Sequence, residues 1–458
     1  MTKNKKNLSK TVSGWGCNSK ALVKIINPKD KEELQEIISN SKKNSLISRG
    51  LGRSYGDAAQ LNNRTVINLN CFQHIYLNKE QGIVNAGGGV SFDNLLKKII
   101  PQGFFLPVSP GTRNVTVGGA IAADVHGKNH HINGSFGNHI IDLLIIDGLG
   151  QIKSLNPRKE AKKSEKDKFW ATIGGMGLTG VIIEATFSLI PIKTAKISVD
   201  TTRHRDIDSL MEKMVICDNK FQYSVAWLDT LNKSGRGILT CGNHATPEQI
   251  KKEANIDNLL EYNPKSIATA PSFIPNGLLN RLTVNAFNEA YFRKAPESRT
   301  QELQDIASFF HPLDGIQNWN RVYGPKGFLQ YQFVVPDSSA HLIKESIEIF
   351  RKIGIPSFLS VLKRFGEENS AFLSFPKKGW TLAVDIPLSI PKLERTLFEL
   401  DIKIAEAGGR IYLAKDSRQS SDIFSLTYPK LNEWKTIQTS MDPNRVFCSD
   451  LALRLNLV

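Results

Sequence analysis

Two stretches of this chain carry more glycine than a tight turn needs, and they limit what it can fold into more than any other feature. The first is Ser48-Arg49-Gly50-Leu51-Gly52-Arg53-Ser54-Tyr55-Gly56-Asp57; the second runs from Pro110 through Gly111, Thr116, Val117, Gly118 and Gly119 to Ala122 and Ala123. Glycine lets backbone N–H groups approach a phosphate closely, and Arg49, Arg53 and Ser54 add side-chain donors. Glycines interleaved with Arg and Ser suit a pyrophosphate better than a plain turn does. A third stretch, Gly175-Met176-Gly177-Leu178-Thr179-Gly180, spells the dinucleotide fingerprint. That fingerprint must open a helix, whereas Val181 to Leu189 alternates and is β-branched, which predicts a strand. A Rossmann NAD site is therefore rejected.

Up to about Ile192 the chain reads as short strands joined by glycine-rich turns. Asp30 and Glu33 predict a capped helix from Lys31 to Ser41. Strands are expected at Ser45 to Ser48, Thr65 to Asn70 and Gly82 to Ala86, and a helix at Phe92 to Ile100. From about Lys193 longer helical patterns (Ile207 to Cys217, Thr246 to Leu260, His341 to Ile353) alternate with the period-2 strands Leu329 to Val335, Ser357 to Lys363 and Thr381 to Ile386. This texture predicts an antiparallel sheet with one working face. Gln330 and Gln332 share a face, as do Thr381, Ala383 and Asp385, and Lys363 follows Val361. Such faces are either solvated or a floor for a sugar or phosphate. A helix from Pro391 to Ala407 stops at Gly408-Gly409, and in the following strand, Arg410 to Ala414, Ile411 and Leu413 lead Lys415 inward. The charge run Lys159 to Lys168 is expected to be a solvated loop. Tyr262 to Ser298 reads either as an irregular packed insertion or as a mobile lid or membrane-touching flap.

With 458 residues, 40% hydrophobic and 22% charged, the chain can build two or three packed domains. Its net charge of +15 favours an anionic partner. The basic residues are spread out, without aromatic-interleaved patches, so a non-catalytic nucleic-acid or membrane-binding protein is the disfavoured rival and no nucleic acid is expected. Five cysteines stand singly, which predicts reduced thiols and no zinc ribbon. Four of the nine histidines fall between positions 126 and 139. His126-Gly127-Lys128-Asn129-His130 lacks the glutamate of a zinc helix, so the expectation is a polar active-site loop and no metal. No apolar run reaches the ~20 residues of a membrane span, and the basic start Met1 to Lys10 lacks the apolar core of a secretion signal.

The loop Ser48 to Asp57, the run Pro110 to Ala123 with His126-Gly127-Lys128-Asn129-His130-His131, Phe169-Trp170-Ala171-Thr172 with the Gly175 loop, and Lys415-Asp416-Ser417-Arg418 resemble the decaprenylphosphoryl-β-D-ribose 2′-oxidases. These are FAD enzymes of the vanillyl-alcohol-oxidase superfamily. The match runs from Gly14-Trp15-Gly16 to Arg445-Val446-Phe447 and Ser449-Asp450. The resemblance implies an α+β fold: a two-part PCMH-type FAD-binding domain (residues 10–192 and 410–458) with a substrate domain (193–409) inserted on an antiparallel sheet. It also implies that Arg49, Gly50, Leu51, Gly52, Arg53, Ser54, Tyr55 and Gly56 hold FAD together with Gly111, Thr116, Val117, Gly118, Gly119, Ala122, Ala123 and His126. Gly180, Ile183 and Tyr412 would lie against it too. Lys128, Tyr323, Gln330, Gln332, Lys363, Thr381, Ala383 and Lys415 match positions lining the substrate pocket. Many superfamily members carry a flavin-bonding histidine ahead of the serine in the first loop. Here Arg53 stands there, which implies non-covalent FAD. The mycobacterial members carry Cys and Asn where this chain has Ala383 and Thr381.

The implied reaction takes a hydride from the ribose C2 of a polyprenylphosphoryl-β-D-ribose, leaving a 2-keto sugar. Lys415 would stabilise charge on the reduced flavin, His126 would orient or deprotonate the hydroxyl with help from Lys415 or Tyr55, and Lys128 and Lys363 would meet the phosphate. An NADH-dependent short-chain reductase would complete epimerisation to the arabinose lipid used in cell-envelope polysaccharide. The protein is expected to be cytoplasmic or peripheral to the cell membrane. The rival within flavoenzymes is an aldonolactone oxidase acting on an arabinono- or gulono-1,4-lactone.

Overall fold

The computed structural model describes residues 9–158, 160–253 and 258–458. Most of the basic start, Lys159 and part of the helix expected over Thr246 to Leu260 lie outside them. Three sheets carry the fold. A four-stranded sheet holds Ser9–Ser13, Lys20–Ile26, Thr65–Asn68 and Leu46–Arg49, in that spatial order, and its last two pairings are parallel. A five-stranded antiparallel sheet orders Ile75–Asn78, Ile83–Gly87, Val181–Ser188, Ile140–Ile146 and Ile152–Leu155. The largest sheet is antiparallel, with eight strands in the order Ser298–Asp305, Lys196–His204, Gly237–His244, Tyr223–Leu228, Ser360–Phe365, Gly379–Pro387, Phe328–Val335 and Arg410–Ile411.

Alternation decides which side of the large sheet is core. Leu329, Tyr331, Phe333 and Val335 of one strand join Trp380, Leu382, Val384 and Ile386 of the next in a buried cluster. The helices Ile207–Asp218, His341–Ile353 and Leu393–Glu406 cover that face with their apolar stripes. The intervening residues, Gln330, Gln332, Ala383 and Lys363, face the other way, onto a cavity.

Most expected elements form near their expected limits. Asp30 caps Lys31–Ser39 by accepting from the Glu33 N–H at 2.8 Å. Val181–Ser188 is a strand, so no helix follows the Gly175 loop. Several expectations need correcting. The charge run is largely a helix, Lys163–Thr172, whose Phe169, Ala171 and Thr172 are buried. Only Pro247–Glu253 of the helix expected over Thr246 to Leu260 is helical among the described residues, and Asn258 to Leu260 is not. The strand at Arg410 stops after Ile411, because the chain there leaves the large sheet. The Tyr262 to Ser298 segment contains a helix, Arg281–Lys294, capped by Asn280 accepting from the Leu282 and Thr283 N–H groups.

Having left the large sheet, the C-terminal segment returns to the first. Tyr55 N–H donates to Ala414 O at 2.8 Å, Cys448 N–H donates to Leu46 O at 2.9 Å, and Phe447 bridges Leu46 in parallel. Arg454 fastens the closure: its guanidinium donates to both Asp57 oxygens at 2.9 Å, to Asp416 at 2.9 Å and to Gln419 O at 2.7 Å. Asp57 and Asp416 are buried, so removing the cation strands two carboxylates away from water. Arg454→Met is expected to lower unfolding stability by about 3 kcal/mol, read as a shift of the urea midpoint at constant slope.

Candidate active site

The first glycine loop follows the strand Leu46–Arg49 and is pressed against the second segment. A Cβ on Gly50 would lie 2.3 Å from Thr116 Oγ1, and Gly52 holds φ +64°. Thr116 cannot move away freely, since its Oγ1 accepts from Gly119 N–H and caps Val117–Ala122. The two arginines do not reach outward. Arg49 donates to Ser13 O at 2.6 Å and Ala59 O at 2.9 Å, and Arg53 donates to Leu51 O and lies 4.1 Å over the Trp15 ring. They brace the loop, so its backbone faces the space in front: among the described residues the N–H groups of Gly50 through Ser54 donate to no protein acceptor. Ser48 Oγ is likewise buried without a partner on the same wall.

That wall belongs to a cavity of about 960 Å³ running from the first loop, past Gly118, Gly119, Ala122, Ala123 and Gly180, to the polar face of the large sheet. Leu51, Arg53, Ser54, Gly111 and Thr116 also line it, and a Cβ on Gly111 would meet nothing within 4 Å. Five expected residues do not line it. Gly56 is packed where a Cβ would strike Asp416 O at 2.0 Å, Val117 is in the core, and Ile183 faces a separate apolar cluster. Thr381 donates to Phe333 O at 2.8 Å, and the Tyr323 ring stacks on Phe328 at 3.9 Å.

Where loop and sheet meet, titratable groups converge. Lys415 Nζ stands 3.6 Å above the Tyr55 ring centroid. Gln330 donates to Asp385 Oδ1 at 2.6 Å and lies 3.4 Å from the Tyr55 hydroxyl, while the Tyr323 hydroxyl donates to Asp385 Oδ2 at 3.3 Å. Burial pushes the Asp385 carboxyl up to about 7 despite the Gln330 hydrogen bond and the Lys415 charge. Burial pulls Lys415 down to about 7, against the attraction of Asp385. Burial thus favours the neutral form of each group, and their mutual attraction opposes it. Burial and the Asp385 charge keep the Tyr55 phenol protonated. His126 is held well below the usual imidazole range by burial, then by Lys363, His130 and Lys415. It is neutral, with Nε2 3.0 Å from the Gln332 amide and Nδ1 unpartnered, and its ring rests on Phe365 and Tyr412.

Lys128 donates to Phe309 O and sits 4.1 Å from the Phe309 ring centroid; burial and Lys363 lower it to about 7. Burial lowers Lys363 to about 8, and its ammonium has no hydrogen-bond or ion-pair partner among the described residues. Lys128, Lys363 and Lys415 therefore line one space, and Asp385 lies fully buried behind Gln330, close enough for its charge to act on Lys415. Asp385 was not among the expected site residues, although its two-residue spacing from Thr381 and Ala383 was the available signal. No group of three His, Cys, Asp or Glu that could hold a metal occurs among the described residues.

Residues 23–156 match the family model described as an FAD binding domain. The chain is 38% identical to decaprenylphosphoryl-beta-D-ribose oxidase of Mycolicibacterium smegmatis, covering 98% of both chains. It is 33% identical to an uncharacterised protein of Streptomyces coelicolor, over 80% of this chain and all of that one. It is also 21% identical to L-gulono-1,4-lactone dehydrogenase of Mycobacterium tuberculosis, over 94% of this chain and 95% of that one. This is an FAD-binding oxidoreductase. More narrowly, the chain belongs to the decaprenylphosphoryl-β-D-ribose oxidase family. The residues present fit the cofactor: a row of undonated loop N–H groups, an orphaned Ser48 hydroxyl and an open face at Gly111 suit a pyrophosphate. Gly50→Ala is expected to force the two glycine segments apart and cut bound flavin per polypeptide at least fivefold, measured by visible absorbance against protein content, with little change in far-UV circular dichroism.

Proposed function

We propose that the protein oxidises the ribose 2-hydroxyl of a polyprenylphosphoryl-β-D-ribose to the 2-keto sugar. The observation that carries this reading is the set of three half-buried lysines, Lys128, Lys363 and Lys415, lining a cavity continuous with the glycine-loop cradle. A neutral lactone gives such a cluster nothing to neutralise, whereas a phosphodiester does, so the lactone-oxidase reading takes second place. In the same reading residues 10–192 and 410–458 form one FAD-binding unit and residues 193–409 an inserted substrate domain. The contacts of Tyr55 with Ala414 and of Arg454 with Asp57 support that division.

FAD, when bound, supplies the hydride acceptor. Lys128 and Lys363 bind the phosphate. Gln330 and Gln332 hydrogen-bond the sugar hydroxyls, and neutral His126 orients the ring from the facing loop. The proton of the 2-hydroxyl passes to the Lys415 amine, and Asp385 stabilises the ammonium that results. Tyr55 stays a phenol and excludes water beside Lys415. A separate NADH-dependent reductase would consume the keto product, and the enzyme would meet its lipid substrate at a membrane surface. No helix among the described residues is long and apolar enough to cross one.

Two measurements test this. Acid precipitation should release the flavin colour into the supernatant, because no histidine stands at position 53; colour in the pellet would mean a covalent link. Anaerobic mixing with polyprenylphosphoryl ribose should bleach the flavin band. Lys415→Met should slow bleaching at least about a hundredfold with flavin content unchanged. In the unsubstituted enzyme the rate should rise with pH through about 7, where the amine form of Lys415 becomes the major one. An unimpaired Lys415→Met rate would remove this residue from the reaction.

A further inference from the structure

The register of the large sheet draws a line away from the lysine cluster. Gln332 pairs with Ala383, Ala383 with Val361, Val361 with Trp227, and Trp227 with Ile238. Directly opposed residues of antiparallel strands point to the same face, so these five side chains form one row. All five line the same cavity, which extends well beyond the sugar-sized space beside Lys415. At ~4.8 Å per strand the row is about 19 Å long. It begins at an amide and ends in large apolar side chains. Phe309 lines the same space beneath the Lys128 ammonium, and Tyr291 closes on Trp227 with ring centroids 4.9 Å apart. Past Tyr291 the apolar character continues outward, since Phe287 stacks on it and both are nearly half exposed on the helix Arg281–Lys294.

Apolar side chains that border an internal cavity rather than packing on one another await an apolar occupant. We propose that this row is the groove for the polyisoprenoid tail of the substrate. The phosphate lies at Lys128 and Lys363, and the chain runs over Val361, Trp227 and Ile238 to leave beside Tyr291. The groove rests on the polyprenylphosphoryl reading above and adds the path of the lipid. Continuity with the lysine cluster selects this occupant: an anionic head and an apolar tail joined in one molecule match the order of chemistry along the row.

The test is calorimetric titration of the flavin-loaded protein with prenyl phosphates of one to four isoprene units, which carry no sugar and need no turnover. Kd should fall about threefold or more per added unit until the groove is filled. Trp227→Ala should flatten that gain while leaving the one-unit Kd within twofold. Ile238→Ser should do the same, and flavin content confirms that each variant is folded. A Kd independent of chain length, or a gain that survives both substitutions, overturns the groove. Bleaching by polyprenylphosphoryl ribose is measured in parallel. A chain-length gain without bleaching upholds the groove and sinks the oxidation reading.

Discussion

Strict alternation along the strand Phe328–Val335 is the constraint on which the site depends. Leu329, Tyr331, Phe333 and Val335 are committed to the helix-covered core, so Gln330 and Gln332 have no choice of direction. A register slip of one residue would drive two amides into the core and turn four large apolar side chains onto the cavity. The same logic fixes Asp385 beside Gln330 and Ala383 beside Gln332 through the neighbouring strand. The core therefore aims the polar side chains, and it does so through packing rather than through bonds between the polar groups.

Against that rigid floor the charges are poorly compensated. Lys128, Lys363 and Lys415 are all pulled down by burial, and buried Asp385 attracts Lys415 from behind Gln330. Desolvated ammonium groups are costly, and losing protons is one way for such a cluster to lower that cost. A bound anion reverses the balance. By linkage, binding of a phosphate draws protons from solvent near neutral pH, so substrate affinity and protonation are one equilibrium.

The glycine segments, proposed to cradle a phosphate, were legible because Gly50 packs on Thr116 and Gly52 takes a left-handed backbone angle. The tasks of Arg49 and Arg53 were not, since a sequence does not reveal that both guanidinium groups turn back onto Ser13, Ala59, Leu51 and Trp15. Period-2 strands gave the sheet and the shared face of the glutamines. They left open whether that face met solvent or a cavity, and so Asp385 went unselected. The helix Arg281–Lys294 escaped notice because only Val284 and Asn288 of its turns are buried, too few to draw an apolar stripe. The helix in the charge run has the opposite cause: Phe169, Ala171 and Thr172 anchor it at one end, beyond the run itself. The strand expected to reach Ala414 ends early because the chain turns at Leu413 to Lys415, where the Lys415 and Asp416 N–H groups donate to Tyr412 O.

The bond from Arg454 to Asp57 spans 397 residues of sequence, and it braces the end of the first glycine loop. A chain emerging from the ribosome has made the whole loop, both sheets of the N-terminal part and the large sheet before this arginine is free to reach back. The two residues are brought together through the packed structure between them rather than by any local contact. The brace on the first glycine loop is thus supplied by a distant stretch of the chain. Loss of the Arg454 guanidinium would therefore be felt at the first glycine loop, 397 residues away in sequence.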